Sequence, residues 1–130
     1  MATITIDRSE KVDADRRRIS TRYLLSDSRF TTTEYDEGYQ PALEISTSHD
    51  KDRKRYVTMV SRIRVGDRMV RWVMEPWDQD PRPVRSVASH AARYSAKEMR
   101  SLHDDYIAQI DALSADKHEE LMLWASRAKG

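Results

Sequence analysis

The chain has 130 residues, and its 23 Lys and Arg residues nearly balance its 22 Asp and Glu residues, leaving a formal net charge of +1. It contains no cysteine, which excludes disulfide frameworks, thiol nucleophiles and cysteine-ligated metal centres and predicts a cytoplasmic protein. No run of about 18 apolar residues is present, so we expect neither a membrane span nor a secretory leader.

The first half of the chain is expected to form strands. Alternating apolar and polar residues predict strands over residues 3–6, 19–25 and 42–47, and β-branched residues predict another over 29–33. A helix over 19–25 is the lesser alternative. The charged stretch 7–18 has no apolar period, so we expect a loop or a frayed helix there.

The clearest local pattern is a hairpin over residues 56–75. Gly66 and Asp67 lie between two β-rich arms, which is typical of a two-residue primed turn. That turn would set Arg62 directly opposite Arg71, an arrangement of like charges that is unfavourable unless an anion lies nearby. The other face of the hairpin, around Ile63, is apolar, and we expect it to be the face that the rest of the chain covers.

A proline-rich connection at 77–83 divides the chain, because proline removes a backbone donor and fixes its own φ. It separates an expected sheet part, residues 1–76, from an expected helical part, residues 84–130. Apolar residues at helical spacing predict a short helix over 84–91. Both parts are expected to form one domain, residues 1–130, since a chain of this length matches one domain.

A second helix is expected to begin at Ser95, where Glu98 completes a capping box. A third segment over 117–128 also reads as helical. No glycine or proline separates the two, so one long bent helix over 96–128 remains an alternative to two helices. The apolar stripe of this region is expected to close the core or to form a dimer interface; it comprises Met99, Leu102, Tyr106, Ile110, Leu113 and Trp124.

These elements predict an α+β fold, with an N-terminal, mainly antiparallel sheet of four to five strands and C-terminal helices packed on one face. The four histidines show no metal-binding or catalytic spacing, and the three glycines are too far apart to form a phosphate-binding loop. We therefore expect no metal, no cofactor and no enzymatic activity.

Charge is concentrated in the middle of the chain, since residues 51–100 carry 13 basic and 6 acidic side chains. Arginines interleaved with aromatic residues can hold a phosphate backbone or an acidic protein surface. The alternative is that the arginines pair with acidic residues of the same chain. The candidate binding residues are Arg53, Arg55, Arg62, Arg64, Arg71 and Trp77.

Three functions follow in order of preference. The first is a non-enzymatic intracellular protein that binds another protein and forms a possible homodimer. The second is nucleic-acid or other polyanion binding through the arginine-rich face, and an enzyme is a distant third. Small, arginine-rich chains without cysteine are common among phage and mobile-element accessory proteins, so the composition favours an accessory factor of that type.

Overall fold

A computed structural model describes residues 6–26, 39–66, 70–73, 85–88 and 94–126. Within these ranges an antiparallel sheet is followed by two helices packed on one of its faces, which confirms the predicted α+β class. The strands are β1 (Ile6–Asp13), β2 (Arg18–Leu25), β3 (Gln40–Asp50), β4 (Arg55–Val65), β5 (Val70–Val73) and β6 (Arg85–Ala88). The helices are α1 (Ala96–Asp111) and α2 (Ala115–Ser126).

The first four strands are neighbours in the order in which they occur in the chain, so β1 is an edge strand and β3 is central. The outer edge of β4 is shared: β5 pairs with residues 62–65 and β6 with residues 55–58. The two short strands therefore follow one another along the same edge. The chain between them contains the proline-rich stretch 77–83.

The β4–β5 hairpin forms in a register that differs from the predicted one. Val65 lies opposite Val70, so the connection is four residues long instead of two, and Arg64 instead of Arg62 lies opposite Arg71. The two registers differ by two residues. A two-residue shift leaves every side chain on the same face, so the apolar pattern could not distinguish them.

Two predicted elements are wrong. The charged stretch 7–18 forms most of β1, the turn after it and the start of β2; an exposed edge strand needs no apolar face of its own. Residues 85–88 form a strand where a helix over 84–91 was expected, because periodicity cannot decide so short a segment. Among the described residues, the first helix therefore begins at Ala96, whereas the prediction began the helical part at residue 84.

The helices begin close to where the sequence predicts. The Ser95 side chain accepts a hydrogen bond from the Glu98 N–H at 3.2 Å, which caps α1. The chain then turns at Ala112, and the Ser114 hydroxyl accepts from the Lys117 N–H at 3.3 Å at the start of α2. Residues 96–126 are thus two helices, and the single bent helix is excluded.

The face of α1 that packs on the sheet is rotated from the predicted stripe. Its buried residues are Met99, His103, Ile107 and Ile110. Leu102 and Tyr106 are half-buried beside them, and Leu113 is 38% exposed, so these three do not lie at the centre of the interface. Met99 and Ile110 of the predicted stripe are buried, whereas His103 and Ile107 take the central positions expected for Leu102 and Tyr106. Hydrogen bonding to buried threonines allows the polar His103 to occupy the core.

Predictions for residues 3–5, 29–33 and 77–83, including Trp77, concern positions outside the described ranges. The main core lies between the sheet and the two helices, where Leu43 and Ile45 of β3 contact Ile107 and Leu121. Trp124 is half-buried at its margin.

Candidate functional site

Alternation along the strands gives the sheet two faces with different surroundings. The helix face is the one that packs on α1 and α2, and it includes Tyr23, Leu43, Ile45 and Thr58. The opposite side, here called the open face, is formed by the alternate residues of each strand, among them Arg18, Arg22, Glu44, Ser46 and Met59.

Arg62 and Arg64 of β4 lie on the helix face and are fully buried. The Arg64 guanidinium donates to the carbonyls of Ala125 at 2.8 Å and Ser126 at 3.0 Å. Arg62 donates to the Trp124 carbonyl at 3.2 Å, and its guanidinium lies 5.4 Å from the centroid of the Trp124 ring. The two arginines therefore hold the last turn of α2.

This placement is favourable because the final carbonyls of a helix have no partners within the helix and carry partial negative charge. It corrects two expectations. The helices cover the face that carries Arg62 and Arg64, not the face that carries Ile63. The two guanidiniums are also bound by carbonyls within the chain, so the prediction that they form part of an external binding surface is wrong.

The other predicted binding residues do not converge on one surface. The Arg53 side chain is 82% exposed in the β3–β4 turn and lies 3.8 Å from a carboxylate oxygen of Asp50. Arg55 is half-buried on the open face, Arg71 lies opposite Arg64 in the ladder, and Trp77 is outside the described ranges. A role for these four residues remains a prediction.

A chain of buried polar groups crosses the helix face. The His103 ring of α1 is hydrogen-bonded at Nε2 to the Thr21 hydroxyl, 2.7 Å away, and at Nδ1 to the Thr47 hydroxyl, 2.8 Å away. Thr47 is in turn 2.9 Å from the Thr58 hydroxyl. One helix residue is thereby linked to β2, β3 and β4.

Burial lowers the pKa of His103, because removal from water disfavours the charged ring. The nearby carboxylates of Glu10 and Asp104 oppose this shift, and the cations of Arg100 and Arg8 reinforce it. The neutral ring, which needs one donor and one acceptor among the threonine hydroxyls, matches the observed partners.

The open face holds a buried carboxylate between two arginines of β2. Glu44 is 2% exposed in its side chain, and its oxygens accept from Arg22 at 2.8 Å and from Arg18 at 3.4 Å. Arg18 also donates from Nε to the Ser46 hydroxyl at 2.7 Å. The carboxylate fixes both guanidiniums, which remain 37% and 32% exposed for Arg18 and Arg22.

These residues line a half-open cleft of about 110 Å³, ample for several water molecules. We call it the basic cleft; its lining residues are Lys11, Asp13, Arg16, Arg18, Ser20, Arg22 and Glu44. Four cations and two carboxylates give the cleft an excess of two positive charges.

Several donors of the basic cleft are unused by the described residues. Arg22 uses only its Nε, and Arg18 uses Nε and one terminal nitrogen. Lys11 and Ser20 have no hydrogen-bond partner among the described side chains. A cleft that presents surplus N–H donors and positive charge is suited to bind a ligand with several anionic oxygens.

Sequence reasoning missed the basic cleft because it followed charge density, which is highest in residues 51–71. A usable signal existed: Arg22 lies on the polar side of the predicted strand 19–25, Arg18 just before that strand continues the same alternation, and Glu44 has the matching parity in the predicted strand 42–47. This signal can be used only if these two strands are known to pair, and the predicted strand at 29–33, which lies between them in the sequence, left their pairing undecided.

Comparison of the chain with protein-family models, with curated proteins and with solved structures gave no match. Among the described residues, no three His, Asp or Glu side chains lie close enough to hold a metal ion together. Neither α1 nor α2 is long and apolar enough to cross a membrane.

Proposed function

We propose that the protein is a non-enzymatic, cytoplasmic interaction protein that binds an acidic segment of another protein in the basic cleft. The observation that carries the proposal is the set of unused donors around Glu44. Because Glu44 fixes Arg18 and Arg22 before a ligand arrives, little side-chain entropy is lost when an anion binds.

Charge and shape favour an acidic protein segment over nucleic acid. The basic cleft contains the carboxylates of Asp13 and Glu44 beside its cations, and these carboxylates would repel the continuous negative charge of a long phosphate backbone. None of the open-face positions of β1 to β4 is aromatic, and the Trp72 position of β5, opposite Ile63, lies beyond β4 from the basic cleft, so bases have no stacking partner at the cleft among the described residues. A short segment with two or three carboxylates matches this cleft better.

The test uses a fluorescein-labelled oligoglutamate peptide, with binding followed by fluorescence anisotropy at two salt concentrations. Arg16→Glu reverses a charge at the cleft rim, where the side chain is 80% exposed and contributes little to stability. We expect it to weaken binding about three- to tenfold and to reduce the salt dependence. Lys97→Glu is the matched control, because Lys97 is exposed on α1 and its substitution makes the same change of charge away from the basic cleft.

Equal binding by wild type, Arg16→Glu and Lys97→Glu would contradict the proposal. A labelled oligodeoxythymidine with the same number of charges, measured in the same way, represents nucleic acid as the alternative ligand. If it bound more tightly than the oligoglutamate and lost affinity in Arg16→Glu, nucleic acid would replace the acidic protein segment as the ligand.

A further inference from the structure

The edge strand β1 carries a pattern that is complementary to itself. It lies at the edge of the sheet, and no strand in the described part of the chain pairs with its outer side. From Ile6 to Val12 the residues are apolar, acidic, basic, serine, acidic, basic and apolar. Reading this stretch backwards exchanges every acidic residue for a basic one.

We propose that two copies of this chain pair through β1 in an antiparallel arrangement, with Ser9 on the two-fold axis, to form one continuous sheet. Two-fold pairing places the same strand on both sides of the interface. The resulting cross-strand pairs are Ile6 with Val12, Asp7 with Lys11 and Arg8 with Glu10, each occurring twice, and Ser9 with itself. Every charged residue from 7 to 11 then faces the opposite charge.

This register is the favourable one among those that an antiparallel ladder allows. Along a strand of such a ladder, every second residue directs both its N–H and its C=O to the same neighbouring strand, so two residues that face each other must both do so or both not. When the two strands are identical, facing residues are therefore an even number of positions apart, and the two-fold axis passes beside a residue that faces its own copy. Centring the pair on Asp7, Arg8, Glu10 or Lys11 places that charge against its own copy, which is unfavourable. Ser9 is the uncharged centre among residues 7–11.

The pairs on the helix face would extend ion pairs that already exist. Arg8 contacts Asp111 at 2.9 Å, and Arg100 contacts Glu10 at 2.6 Å. Adding Glu10 of the second copy beside Arg8 gives a row of four charges that alternate in sign, from Asp111 through to Arg100 of the second copy. Networks of this kind are worth more than isolated surface pairs.

The arrangement leaves room for the helices and covers an exposed apolar side chain. Helix α1 packs on β2 and β3, so the two α1 helices would be roughly 19 Å apart at the usual strand spacing. Val12 is 54% exposed in the single chain and would gain Ile6 of the second copy as a cross-strand neighbour. Charged side chains on an edge strand normally prevent it from pairing with other strands. Here the order of the charges is complementary to itself, so a second copy is the strand that can pair favourably.

This interface differs from the predicted helical stripe, and it does not depend on the proposed function. In the dimer the two basic clefts lie side by side on one open face. Lys11 has three donors, so pairing with Asp7 of the second copy leaves donors for an anion in the cleft.

The test is a charge-reversal experiment on the open-face pair, followed by sedimentation at low ionic strength. Asp7 and Lys11 are exposed, and neither has an ion-pair partner among the described residues, so no ion pair within that part of the chain competes with the proposed pairing. The molecular mass obtained from sedimentation of the wild type should be twice the 15.2 kDa mass of one chain. Asp7→Lys alone and Lys11→Asp alone should each raise the dimer dissociation constant roughly tenfold or more, because each creates two like-charge pairs.

An equimolar mixture of the two single variants should form a mixed dimer. In it, one chain carries Lys at positions 7 and 11, the other carries Asp at both, and each Lys faces an Asp. The double variant Asp7→Lys, Lys11→Asp should also dimerise. Thermal melting of each variant at low concentration checks that the subunit is folded. A wild type of single-chain mass at high concentration, or a mixture of single variants that associates no better than either alone, would overturn the proposal.

Discussion

Two pairs of arginines on opposite faces of the same sheet have different surroundings. Arg62 and Arg64 are fully buried and donate to the final carbonyls of α2. Arg18 and Arg22 share the carboxylate of Glu44 and keep about a third of their side chains exposed. The first pair joins a helix to the sheet, and the second presents donors to solvent. Whether an arginine is held within the fold or keeps donors exposed to solvent is thus decided by the acceptors that the fold supplies.

The largest effect is expected from the buried pair. Arg64→Leu would leave the Ala125 and Ser126 carbonyls without their donor and should lower the free energy of unfolding by about 3–5 kcal/mol. Urea denaturation measures this change. Arg53→Leu, which removes an exposed arginine, should change it by less than about 0.5 kcal/mol. Similar losses for the two variants would show that Arg64 does not anchor α2.

The open-face pair should respond in two opposite ways to one substitution. Glu44→Gln removes the carboxylate between Arg18 and Arg22, which should cost about 1–3 kcal/mol of stability. It also removes one of the two negative charges of the basic cleft, and because the amide oxygen of Gln can still accept from a guanidinium, it should raise the affinity for oligoglutamate. Glu120→Gln, an exposed position on α2, is the control for net charge. An affinity that falls in Glu44→Gln but not in Glu120→Gln would mean that the fixed geometry matters more than the freed charge.

A smaller and pH-dependent effect is expected from His103, which stabilises the helix face through neutral hydrogen bonds. Since burial lowers its pKa, its contribution is fully present above the ordinary histidine value of 6.5 and is lost as the pH falls through the value of the folded state. Urea midpoints should therefore fall on acidification, and less steeply in His103→Gln. Parallel pH profiles for the two proteins would exclude His103 as the cause.

The smallest effect is expected where an ion pair is exposed. Arg100 and Glu10 are about 40% exposed, and although their contact holds the pKa of the Glu10 carboxyl below its usual range, solvent screens the pair. Arg100→Ala should cost less than about 1 kcal/mol in urea denaturation of the single chain. A loss comparable to that of Arg64→Leu would remove the distinction between exposed and buried arginines on which the comparison depends.

Local sequence patterns predicted the elements better than they predicted the faces. The strand at 19–25 and the cap at Ser95 depend on neighbouring residues and were found correctly. The burial of Arg64 depends on carbonyls about sixty residues away, and no local pattern reports them. In the same way, Glu44 acquires its role only when β2 pairs with β3, so the basic cleft could not be seen before the topology was known.

Arginine footprinting with phenylglyoxal, with and without oligoglutamate, tests the central distinction most directly. Mass spectrometry of the folded chain reports the modification of each arginine. We predict that Arg16, Arg18 and Arg22 react and that the peptide protects them, whereas Arg62 and Arg64 stay unmodified in both samples because they are fully buried. Rapid modification of Arg62 and Arg64, or reaction of the basic cleft that the peptide does not slow, would contradict the account.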